Sequence, residues 1–136
     1  MRTPRSGFSL LELMIGMIIV TILASIAIPS FSKAIEKTKV KDAQTTLAAL
    51  YSSEKIYRLD QTSYGTLTNL VSNNYISDPD PSNNNTNWDF SATVGGAGST
   101  FTATATRTGG AYNGKTVTAD ETFTGTNYGG NHPLKN

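Results

Sequence analysis

The chain has 136 residues and not one is cysteine. That excludes a disulfide staple and all thiol chemistry. Histidine occurs once, as His132 in a Gly-Gly-Asn-His-Pro tail, with no cysteine to share a metal. Charge is also sparse, at 15% of residues, and Lys+Arg (11) nearly cancels Asp+Glu (10). Such a balance is not that of a dedicated nucleic-acid binder. No serine stands in a nucleophile-elbow context. The glycine pairs follow strand-like segments but open no helix, so they read as turns and not as a phosphate cradle. The acids Asp78, Asp80, Asp120 and Glu121 match no calcium-ligand pattern. We therefore expect no catalytic residue, no metal and no cofactor. Two further gaps point the other way. Proline is absent between Pro29 and Pro79, and glycine between Gly16 and Gly65. A long stretch without either breaker has room for one long helix.

Its first part runs apolar from Leu13 to Ile28 without a charge, directly before Pro29. About 20 mostly apolar residues suffice to cross the roughly 30 Å hydrocarbon layer of a bilayer. One acid, Glu12, stands near the front of this run. An acidic group at the centre of a membrane helix costs about 2.5–3.5 kcal/mol and is kept where it finds a partner or serves a function. Before the run come Arg2 and Arg5, and basic residues there favour a cytoplasmic N-terminus.

The segment Gly7-Phe8-Ser9-Leu10-Leu11-Glu12, with its short basic leader and the apolar run ending at Pro29, resembles the N-terminus of type IV pilins and type II secretion pseudopilins. The resemblance implies cleavage by a prepilin peptidase between Gly7 and Phe8, N-methylation of Phe8 by the same enzyme, and a role for Glu12 in filament assembly. It implies a homopolymer of identical subunits as the principal partner, with an assembly ATPase and an inner-membrane platform protein acting indirectly. The precursor is expected in the bacterial inner membrane, single-pass with its C-terminus outside. The mature chain then enters an extracellular pilus, for adhesion, twitching motility or DNA uptake. The alternative is a periplasmic pseudopilus that drives protein export, with this chain as its major pseudopilin. No dedicated nucleic-acid site is visible. One departure from the family is Thr21, where many members have a glycine that lets the helix loosen. Cleavage makes the Phe8 nitrogen an ammonium four residues from Glu12. A helix N-terminus and a nearby cation both favour the carboxylate. The partner is the chain's own amine or a neighbour's.

Beyond Pro29, Phe31, Ile35, Val40, Ala43, Leu47, Leu50, Tyr51 and Tyr57 recur mostly at spacings of three and four, which predicts one apolar helical stripe. Lys33, Glu36, Lys37, Lys41, Asp42, Glu54 and Lys55 fall to the wet face. Pro29 lacks an N–H for the ladder and should kink the helix without ending it. One helix over residues 8–59, roughly 75 Å long, is expected.

A short helical turn is expected over residues 66–72, then a polar loop through Asn83, Asn84 and Asn85, where Asn84-Asn85-Thr86 fits a glycosylation sequon. From Trp88 the period becomes two: Trp88, Phe90, Ala92 and Val94, then Phe101, Ala103 and Ala105, then Val117. That predicts an antiparallel meander with one apolar and one threonine-covered face. Helix stripe and sheet face each need cover and each supplies it to the other. The expected class is α+β, a long N-terminal helix on a three- or four-stranded antiparallel sheet. The expected divisions are a cleaved leader at 1–7, a membrane and filament-core helix at 8–29, and a globular part at 30–136. The last comprises an amphipathic helix at 30–60, a loop at 61–87, and sheet plus tail at 88–136.

Overall fold

The computed structural model describes residues 7–80 and 87–135. The leader arginines Arg2 and Arg5, the asparagine run and the Asn84 sequon lie outside the described residues. Helix α1 spans Leu10–Gln61 and passes through Pro29 as one element. It begins later than expected: the Ser9 carbonyl accepts the amides of Glu12 and Leu13 at 3.0 and 3.2 Å, leaving Phe8 outside. It ends at Thr62, whose φ of 62° is left-handed. No glycine serves this stop, and a β-branched residue there is strained. The chain is held in place just beyond, where the Tyr64 amide donates to the Gly98 carbonyl at 2.8 Å.

By contact density the chain forms two units, Met1–Glu36 and Lys37–Asn136. In the first, the large apolar side chains from Leu10 to Ile28 are exposed. This is the only helix among the described residues long and apolar enough to cross a membrane. Phe31 and Ile35, read above as the start of the apolar stripe, are exposed as well, at 69% and 43%. The stripe that finds cover begins at Val40.

In the second unit, α2 (Leu67–Ser72) follows a capping box, in which Thr66 accepts the Asn69 amide and the Asn69 side chain accepts the Thr66 amide. Among the described residues three strands follow, β1 (Trp88–Gly95), β2 (Thr100–Arg107) and β3 (Thr116–Asp120), antiparallel in the order β1-β2-β3. Phe90 faces Ala105 and Ala105 faces Val117, so the apolar sets of all three strands share one side. Against that side lie Val40, Ala43, Leu47 and Leu50 of α1. The inward residues of β2 include Ala103 and Ala105, both fully buried. Small side chains there leave room for the larger residues of the helix. Gly98, with φ of 87°, closes the β1–β2 turn against Ser63, where a Cβ would collide. Val94, expected to point inward, is 40% exposed at the strand's end. The tail adds a single bridge, Thr118 to Gly129, and not a fourth strand.

Glu54 departs from its expected place on the wet face: it is fully buried. Its Oε2 accepts the Gly65 amide at 3.0 Å, tying α1 to the loop, while Oε1 has no hydrogen-bond partner. Burial pushes its pKa above the ordinary 4.5, partly opposed by the Gly65 bond. The native state thus holds the proton at pH values where the unfolded chain has lost it. Stability from this group is greatest below pH 4.5 and declines as pH rises through the interval up to the native pKa. Urea unfolding of the full chain in detergent, compared between wild type and Glu54→Gln, should show that decline in the wild type and a flatter profile in the variant. In the same assay Leu47→Ala should lower stability by about 2–5 kcal/mol, as expected for a fully buried leucine.

Candidate functional site

The expected assembly residues lie at the start of α1. Phe8 is 77% exposed, and Glu12 is exposed in the first turn. Downstream, hydroxyls are turned back into the helix: Thr21 donates to the Met17 carbonyl at 2.8 Å and Ser25 to Ile22 at 2.7 Å. Both polar groups are thereby satisfied without water, as an apolar surrounding requires. Gly16 has open space where a Cβ would stand. Around Pro29, a shallow hollow is lined by Ala27, Ile28, Phe31 and Ala34. This part of the helix has an acid at its front, a continuous apolar surface and internally satisfied hydroxyls. Chemically it is a surface for lipid or for other helices.

At the other end of α1, two cations converge. Lys55 Nζ and Arg58 Nη1 both donate to the Tyr64 hydroxyl oxygen, at 3.0 and 2.9 Å. The Arg58 guanidinium lies 4.6 Å from the centre of the Tyr64 ring, and Lys55 lies 5.0 Å from that of Tyr51. Burial of Tyr64 raises the pKa of its phenol, but the two cations outweigh this and lower it overall. Lys55 is shifted upward, first by its bond to Tyr64. The sequence reading did not find this cluster. Its signal was the i, i+3 spacing of Lys55 and Arg58 followed by an aromatic residue in the loop.

A groove of about 560 Å³ lies between α1 and the tail, floored by Val40, Ala48, Tyr128 and Leu134 and rimmed by Lys37, Lys41 and Lys135. The tail is held there by the Tyr128 hydroxyl, which donates to the Gln44 carbonyl at 2.9 Å, and by Gln44, whose amide donates to Lys135. His132 is buried, its ring 5.7 Å from Trp88 and 5.0 Å from Tyr112. Its Nδ1 accepts the Leu134 amide at 3.2 Å, so this ring is part of the packing. Three of the acids considered for a cation accept backbone amides. Asp78 accepts the Asp80 amide, Asp120 accepts the amide and hydroxyl of Thr122, and Glu121 accepts the Phe101 amide. Among the described residues, no three histidines, cysteines or acids group to hold a metal.

Comparison with known proteins joins these two regions. Residues 2–28 match the family profile "Prokaryotic N-terminal methylation motif", and residues 29–121 match "Type IV minor pilin ComP, DNA uptake sequence receptor". The type IV major pilin protein PilA of Myxococcus xanthus is 43% identical over 67 residues, 48% of this chain and 30% of that protein. The type II secretion system core protein G of Aeromonas hydrophila is 37% identical over 62 residues, 46% of this chain and 43% of that protein. The corresponding protein of Vibrio cholerae is 37% identical over 62 residues, again 46% of this chain and 42% of the relative. The matched part thus spans less than half the length of each of these relatives. No solved structure matches. With the methylation motif at its front and the minor-pilin profile covering residues 29–121, the chain belongs to the ComP family of type IV minor pilins.

Proposed function

We propose that the chain is a filament subunit of a type IV pilus and that its extracytoplasmic part serves DNA uptake. The observation that carries the reading is the union of both family matches in one chain: the methylation motif at residues 2–28 and the minor-pilin profile at residues 29–121. In this reading a prepilin peptidase cuts between Gly7 and Phe8, and the new Phe8 amine is methylated. The precursor waits in the inner membrane with its C-terminus outside, and an assembly ATPase and a platform protein drive its extraction. Glu12, exposed in the first turn, meets a Phe8 ammonium during docking. The exposed apolar residues of α1 then exchange lipid for neighbouring helices, with Gly16, Ala24, Ser25 and Ala27 permitting close approach. Pro29 serves as a bend between the filament-core segment and the rest of the helix. The likeness to core protein G supports a second reading, a pseudopilin in a periplasmic filament.

Mass spectrometry of filaments sheared from the cell surface separates the two. A chain beginning at N-methylated Phe8 in that material is expected for the pilus, and its confinement to the envelope would favour the pseudopilus. Glu12→Ala should leave cleavage after Gly7 intact and reduce incorporation into filaments at least tenfold. Normal incorporation would remove the role given to Glu12. Transformation frequency in a strain lacking this subunit should drop, and an unchanged frequency would exclude DNA uptake.

A further inference from the structure

We propose that Lys55 and Arg58, brought together on the Tyr64 hydroxyl, form a clamp for one backbone phosphate of bound DNA; the site rests on the DNA-uptake reading above. The two residues are three apart on α1 and so share a face. Both donate to one oxygen, at 3.0 and 2.9 Å, which holds two like charges close together. At 4 Å such a pair repels by about 1 kcal/mol even in water, and an anion between them reverses the sign. Among the described residues neither cation hydrogen-bonds a carboxylate. Three acids of this unit accept hydrogen bonds from other groups. Asp60 accepts the Tyr75 hydroxyl at 2.7 Å, Glu54 the Gly65 amide, and Glu121 the Phe101 amide. Lys55 reaches only the backbone carbonyl of Glu121, at 3.5 Å.

The clamp is also rigid. Tyr64 is pinned by its amide bond to Gly98 and by its ring, 4.7 Å from that of Phe101. The charged heads themselves lie over aromatic rings, so little freedom remains to be lost on binding. Arg58 is exposed, and its planar fork matches two phosphate oxygens. Lys55 supplies a second, point-like charge.

The test is anisotropy of dye-labelled duplex DNA titrated with the full-length protein in detergent, over a series of salt concentrations. Lys55→Gln and Arg58→Gln should each weaken binding several-fold, whatever the sequence. Each should also reduce the slope of log affinity against log salt by about one. Tyr64→Phe keeps the ring but removes the shared oxygen, and should weaken binding while leaving the slope unchanged. Lys115→Gln, at an exposed site before β3, should change neither. Inorganic phosphate at matched ionic strength should compete with DNA for the wild type and less for the Lys55→Gln/Arg58→Gln double variant. A double variant that melts like the wild type yet keeps its affinity and slope overturns the clamp and leaves DNA binding standing. Equal losses in Lys115→Gln also overturn it, since binding would then be diffuse. A wild type that does not bind DNA overturns both the clamp and the DNA-uptake reading.

Discussion

Burial of Val40, Ala43, Leu47 and Leu50 against one face of a small sheet is the constraint on which the globular part depends. Three short strands with outward polar residues have only one apolar side, and that side must be covered. The helix supplies the missing cover. In return the sheet must keep its register, because a slip by one residue would turn Phe101, Ala103 and Ala105 outward and bring threonines in. Helix stripe, sheet register and the alanines of β2 are therefore one requirement seen from three elements.

The edges of this small core are closed by hydrogen bonds and rings, with no covalent link available. Trp88 anchors the first strand to the helix, its indole N–H donating to the Lys39 carbonyl at 2.9 Å. Arg107 continues the inward series of β2 beneath Trp88, and its guanidinium donates to the carbonyls of Asn87 and Thr108. The tail folds back so that the His132 amide donates to the Thr116 carbonyl and the imidazole fills the space beside Trp88. Gly130, with φ of 88°, allows the close pass, since a Cβ there would strike the Thr116 carbonyl. A chain without cysteine thus secures its C-terminus by packing and by pairing with β3.

Periodicity made the regular elements legible. The 3.6-residue stripe located the buried part of α1, the two-residue alternation located β1 and β2, and the short turn expected over residues 66–72 is α2. Local patterns fail where burial is decided by residues distant in sequence. Glu54 sits beside Lys55 and reads as solvated, but a loop eleven residues later closes over it and offers the Gly65 amide. Phe31 and Ile35 fit the stripe in spacing, yet they remain exposed. His132 reads as an isolated tail residue because its ring partners, Trp88 and Tyr112, lie 44 and 20 positions earlier. The N-terminal methylation motif, by contrast, is legible because Gly7, Phe8, Glu12 and the apolar run are contiguous.

Near-zero net charge does not describe the charge of any one patch, and the reason is physical. Screening confines a surface charge to about 8–10 Å at moderate salt, so a polyanion responds to the local arrangement and not to the total. In this domain several acids have fixed hydrogen-bond partners, and those that are exposed keep their charge. Glu54 is buried, Asp60 holds Tyr75, and Asp78 and Asp120 close their own turns. The cations differ in the same way: Arg107 is buried on the carbonyls of Asn87 and Thr108. Lys37 and Lys41 stand exposed one turn apart, and Lys55 and Arg58 meet on a phenol oxygen. Equal numbers of acids and bases therefore need not be spread evenly over a surface. A balanced composition can in this way still bring cations together locally, as Lys55 and Arg58 meet on the Tyr64 hydroxyl.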